Sequence, residues 1–163
     1  MTLAPESRDR WQNAQENRRA YLFDPNADEA DLHDDLYDYL WSAFGATVDI
    51  EVQQIGGGRA DLRIKYAGFS IYLELKVDDT KKPLSAKGAY LNQAATYLAT
   101  DIRIGFVVAL RTRPYSTGAP HPHLTSLFTH QVVDVVGDDV ARHLVLADVP
   151  GNRSSPAAKK ANV

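Results

Sequence analysis

The sequence predicts an α/β domain built on a central mixed β-sheet flanked by helices. Three observations carry that expectation. Gly58 to Lys76 alternates apolar and polar residues in two runs joined by Ala67 and Gly68, the pattern of a hairpin. Ile102 to Leu110 is a near-continuous apolar run, which suits a strand buried on both faces at a sheet centre. Between them Ser85 to Ala99 has helical spacing, so hairpin and strand are joined by a crossover helix.

Taken in order, residues 1–26 read as a helical extension: Ser7 to Leu22 is polar, with Trp11, Tyr21 and Leu22 as its apolar positions, and Asp24-Pro25-Asn26 breaks it. Residues 27–149 read as the main domain. It opens with a helix over Ala27 to Phe44 whose stripe is Leu32, Leu36, Tyr39, Leu40 and Ala43. Asp28 or Asp31 marks its start, and Gly45 closes it. Thr47 to Gln53 alternates Val48, Ile50 and Val52 with polar residues, as a strand does. Gln54 to Arg59 is expected as a loop. Its three glycines are not followed by the helix that a phosphate-cradling loop requires, so a nucleotide site is rejected.

Asp78 to Lys87 is a polar connection. The helix over Ser85 to Ala99 turns Tyr90, Leu91, Ala94, Ala95 and Leu98 inward. Arg111 to His123 is expected as a loop, with Leu124 to Val136 and His143 to Val149 as peripheral elements. Residues 150–163 read as a flexible tail or linker.

The chain has 163 residues, 44% of them apolar, enough for one domain with a real core. It has no cysteine, which removes disulfides and thiolate metal sites and fits a cytoplasmic setting. No apolar run approaches the roughly 18 residues of a membrane span, and Met1 to Arg10 does not read as a signal peptide. His121, His123 and His130 occupy loop-like sequence with no evident fourth ligand, so no zinc site is expected.

The chemistry concentrates in the hairpin. Side chains alternate along a strand, so Glu74 and Lys76 point the same way, about 7 Å apart. Pairing around Ala67 and Gly68 brings Asp61 close to Glu74. Two carboxylates offer hard oxygen ligands to Mg2+ or Mn2+, and Lys76 is placed to orient or activate a water or to balance phosphate charge. Charges inside the apolar run Tyr72-Leu73-Glu74-Leu75-Lys76-Val77 are costly unless paired or metal-bound.

Asp61, followed after twelve residues by Glu74-Leu75-Lys76, resembles the Asp…Glu-x-Lys signature of the PD-(D/E)XK nuclease superfamily, with Ala60 in place of the usual proline. Gln93-Ala94-Ala95-Thr96-Tyr97 resembles the Gln-x-x-x-Tyr helix motif of its RecB-like branch, which puts Gln93 and Tyr97 one helical turn apart. The resemblance covers roughly Asp31 to Arg113. It implies a restriction-endonuclease-like core in which Asp61 and Glu74 bind the metal, Lys76 serves the water, Gln93 assists catalysis and Tyr97 supports the site. It also implies a polar group from the first helix: His33 first, as a metal ligand, and Glu29 second, in support.

The net charge of −3 conceals segregation. Residues 1–58 balance at −8, residues 59–113 at +5, and residues 114–163 at zero. The basic excess accompanies the proposed site, where Arg59, Lys81, Lys82 and Lys87 are candidate contacts to nucleic acid. The expected function is hydrolysis of phosphodiesters by a Mg2+/Mn2+-dependent nuclease, in DNA rather than RNA, and the resemblance suggests restriction, repair or anti-phage defence. The expected assembly is a homodimer or a subunit or domain of something larger. Two other readings compete: a catalytically silent nuclease fold that binds nucleic acid or a protein, and a structural subunit docking through its acidic N-terminal half. A binding module would bind with steep salt dependence yet ignore Mg2+, and a docking subunit would do neither.

Overall fold

A computed structural model describes residues 20–55, 58–66, 68–98, 104–113, 122–134 and 141–152. The helix expected over Ser7 to Leu22 lies outside these residues, apart from a 3-10 turn at Ala20–Phe23 whose Tyr21 is buried in the core. The tail expected from residue 150 is described only to Asn152. Within that stretch Gly151 N donates to Arg111 O at 3.0 Å and Asn152 Nδ2 to Thr112 O at 2.8 Å.

The architecture is α/β, with a six-stranded mixed sheet flanked by helices. Helix α1 spans Glu29–Phe44. Asp28 caps it: its carboxylate accepts from Asp31 N at 3.1 Å, and Asp31 accepts from Asp28 N at 3.0 Å. This reciprocal box satisfies amides that the first helical turn leaves without partners. Gly45 ends the helix at φ +60°, a conformation that favours glycine. The buried stripe is Leu32, Leu36, Tyr37 and Leu40, not the expected one with Tyr39 and Ala43. At about 100° per residue, turning Tyr37 toward the sheet moves Tyr39 to the far flank, where it is 58% exposed. The last turn, Trp41 to Phe44, is exposed throughout.

Strands β1 (Val48–Ile55), β2 (Gly58–Tyr66) and β3 (Phe69–Asp78) form an antiparallel meander. The loop expected over Gln54 to Arg59 is shorter, because both strands continue into it, past an irregularity between Gln53 and Ile55. The hairpin turn falls where expected, with Gly68 at φ +90°. Helix α2 (Gly88–Tyr97) then crosses over to β4 (Ile104–Arg111), which pairs parallel with β3. It starts three residues later than the spacing suggested: Leu84–Ala86 form a 3-10 turn, and Lys87, at ψ +69°, separates the two.

Strand β5 (Phe128–Val133) is an edge, while β6 (Arg142–Pro150) lies between β4 and β5. The segment His143 to Val149 is therefore interior sheet rather than peripheral. It pairs parallel with β4 and antiparallel with β5. The order across the sheet is β1-β2-β3-β4-β6-β5.

Alternation sorts the core into two layers. Val108 and Leu110 of β4 join Leu62, Leu73, Leu75 and α1's Leu32 on one face. Val107 and Ala109 join Leu144, Leu146, α2's Leu91 and Ala94, and Leu98 at its C-cap on the other. The sheet centre is thus covered on both faces, as parallel strands require.

Candidate active site

Glu74 pairs with Val107 and Lys76 with Ala109, so both polar side chains share the α2 face of the sheet. The β2–β3 ladder runs from the turn as far as Leu62 and Leu73. Just beyond it, Asp61 Oδ2 accepts from Leu75 N at 2.7 Å. The carboxylate takes the amide where the ladder stops, which fixes Asp61 beside Glu74 as the hairpin register anticipated.

Glu74 is 1% exposed. Its Oε1 accepts from Lys76 Nζ at 2.5 Å, and Lys76 also donates to Leu75 O at 2.7 Å. Glu74 Oε2 is buried with no hydrogen-bond partner among the described residues. Glu29, the first residue of α1, places Oε2 3.9 Å from the same ammonium. Burial pushes the Glu74 carboxyl up to about 7, and repulsion from Asp61 and Glu29 adds to it against the pull of Lys76. Glu29 is raised too, first by burial. Lys76 is also raised: the carboxylates of Glu74, Glu29 and Asp61 together outweigh its burial.

His33 is one turn along α1 from Glu29 and close enough to influence its charge. Its Nδ1 lies 3.4 Å from Asp34 Oδ1, its ring stacks on Tyr37 with centroids 6.3 Å apart, and its Nε2 is buried with no partner among the described residues. Gln93 is exposed on α2, and the side chain of Tyr97 lies outside the described residues. The same holds for the side chain of Arg59, while Lys81 and Lys82 are exposed. Lys87 is engaged instead: its Nζ donates to Asp78 Oδ1 at 3.2 Å.

Among the described residues no group of three or more His, Asp or Glu side chains is arranged to hold a metal ion. Two carboxylates suffice for a hydrated Mg2+ or Mn2+, which keeps several waters. Asp61 and Glu74 are such a pair, and the unpartnered Glu74 Oε2 is the kind of atom a cation satisfies. The donor set fits a hard, water-retaining ion.

Sequence reasoning missed a second polar cluster. Asp78, buried, binds Lys87 and Arg111, and Arg111 reaches Asp148 of β6 at 3.4 Å. The legible signal was the alternation Glu74, Lys76, Asp78, which extends the polar face of β3 by one more residue. A cross-strand pair on β5 and β6 was missed as well, His130 Nε2 lying 2.9 Å from His143 Nδ1. His123 is engaged by Thr125, and His121 lies outside the described residues. Part of the basic excess is compensated locally: Arg63 and Lys65 both bind Asp49 on β1, beside an open groove of about 440 Å³ lined by these three residues with Tyr37, Val48 and Ile50.

Compared with known proteins, the chain matches no family profile, no curated protein and no solved structure.

Proposed function

We propose that the protein is a metal-dependent nuclease domain of the PD-(D/E)XK type that hydrolyses phosphodiester bonds, in DNA rather than RNA. One observation carries the reading. Asp61, Glu74 and Lys76 converge at the end of the β2–β3 ladder, and a buried Glu74 oxygen there has no partner among the described residues. Burying that oxygen without a partner costs stability, and a bound cation would satisfy it. Restriction, repair or defence against foreign DNA is the setting that the resemblance suggests.

Asp61 and Glu74 would hold the ion, with His33 as the candidate from α1. A bound Mg2+ or Mn2+ supplies an acidic water near neutral pH and offsets charge on the phosphate. Lys76, kept protonated by its carboxylate neighbours, is suited to hold a phosphate oxygen or orient the water, and poorly suited to remove a proton. Glu74 lies on the opposite side of that division, with an affinity for protons near neutrality.

The test is cleavage of supercoiled plasmid and of labelled single-stranded DNA with Mg2+, Mn2+ or EDTA, for the wild type, Asp61→Ala and Lys76→Ala. Metal-dependent cutting that each substitution lowers by about 10²-fold or more is the expected result. An inactive wild type that still binds Mn2+ by calorimetry, with binding lost in Asp61→Ala, would leave the site real and the enzyme dependent on a partner. Neither cutting nor metal binding would leave a silent binding module.

A further inference from the structure

The polar face of β3 does not end at Lys76. Asp78, two residues on, projects to the same side about 7 Å further along the strand. It is 2% exposed, and its carboxylate is occupied on both oxygens. Oδ1 accepts from Thr80 N at 2.8 Å and Lys87 Nζ at 3.2 Å, and Oδ2 accepts from Arg111 Nη1 at 2.6 Å.

Arg111, the last residue of β4, uses the rest of its guanidinium on the chain leaving β3. Nη2 donates to Thr80 O at 3.1 Å and to Lys82 O at 2.8 Å, and Nε lies 3.4 Å from Asp148 Oδ1 on β6. The ends of three adjacent parallel strands are thereby tied to the backbone of residues 80–82. Burying so many charges is costly for a simple surface connection. Its result is specific: two carbonyls are pinned while the side chains of Lys81 and Lys82 stay exposed.

We propose that Arg111 is a positioning residue that mounts Lys81 and Lys82 as a phosphate-binding element beside the carboxylate site, its partner being the sugar-phosphate backbone of a nucleic acid. The proposal rests on the nuclease reading. Arg111 itself is set aside as a phosphate ligand, since its Nη1 and Nη2 are engaged by Asp78, Thr80 and Lys82, while its Nε faces Asp148 at 3.4 Å without a hydrogen bond. Lys87, held by Asp78, is set aside as a phosphate ligand for the same reason. The recognition is of charge, not of base sequence, because ammonium groups read phosphate as point charges.

The experiment measures binding of labelled single-stranded and duplex DNA by anisotropy in EDTA across a salt series, with Mn2+ binding measured separately by calorimetry in EDTA-free buffer. It compares the wild type, Arg111→Lys, and the double variant Lys81→Ala/Lys82→Ala, with trypsin cleavage of the Lys81–Lys82 bond followed in parallel. Arg111→Lys keeps the charge but cannot hold Asp78 and two carbonyls at once. The expected result is a flatter salt dependence in the double variant, its slope reduced by about 0.7 to 0.9 for each phosphate that a lysine no longer neutralises. Arg111→Lys should cleave faster at Lys81 and bind about tenfold more weakly, with its melting transition cooperative and its metal binding intact. Wild-type affinity in either variant overturns the proposal, even where cleavage at Lys81 accelerates. A wild type that binds no DNA yet binds Mn2+ through Asp61 sinks the phosphate element and leaves the metal site standing. Absence of both sinks the nuclease reading with it.

Discussion

Glu74 is ionised with difficulty, and that fixes how its stability contribution depends on pH. Its folded value, about 7, lies above the ordinary 4.5 that it regains on unfolding. Between these values the folded chain holds a proton that the unfolded chain has released, so stability falls as pH rises from about 4.5 to about 7 and stays lowered above. The whole effect is of order 3 kcal/mol. Glu74→Gln should therefore raise stability in urea melts at pH 8, by about 1–3 kcal/mol after loss of the Lys76 pair, and change it little at pH 4.5. A destabilised variant at pH 8 would mean that the ion pair outweighs the burial. The same proton governs the proposed ion: a metal on Glu74 must displace it, so Mn2+ affinity should weaken as pH falls through about 7. Calorimetry in buffers of different ionisation enthalpy reads that proton directly, and a pH-independent affinity would remove Glu74 from the ligand set.

At the scale of the element, α1 matters because its first turns bear Glu29 and His33. Asp28→Ala removes one half of the reciprocal cap and should cost about 1 kcal/mol, and Leu32→Ala, deep in the core, about 2–5 kcal/mol, both by urea denaturation. An unchanged Asp28→Ala midpoint would mean that the core alone sets this helix end. The cap, Gly45, the hairpin turn and β4 were all legible because each is written in adjacent residues: a capping carboxylate, a positive-φ glycine, an unbroken apolar run. The juxtaposition of Asp61 and Glu74 was legible for the same reason, since a two-residue turn fixes its register. Tyr39 and β6 were not. Which flank of α1 meets the sheet, and which strand lies beside β4, are decided by contacts between distant segments. Alternation along β3 marks Asp78 as polar, but its pairing with Arg111, 33 residues away, is invisible to any local pattern.

The whole molecule is a sheet whose parallel centre, β3-β4-β6, is sealed on both faces, with antiparallel strands at its edges. At the centre the packing is close: a Cβ on Gly105 would stand 3.0 Å from Leu98 Cδ2 and 3.3 Å from Leu144 Cδ2, so a side chain there would press these leucines aside by a few tenths of an ångström. The candidate site lies where the sealed centre meets the meander, at the point where β2 stops pairing with β3 and a side chain takes over from the backbone. Hydrogen exchange should expose this arrangement. Amides of β3, β4 and β6 should open only with global unfolding, whereas those of β1 and β5 should open locally. The Leu75 amide is the telling one, because the group that accepts it is the Asp61 carboxylate. In Asp61→Ala its protection should fall toward that of an edge strand, while the amides at Lys76, which faces β4, and Val108 keep theirs. Equal protection at Leu75 in both proteins would mean that another acceptor holds the ladder there, and the convergence of Asp61 with Glu74 would lose its structural anchor.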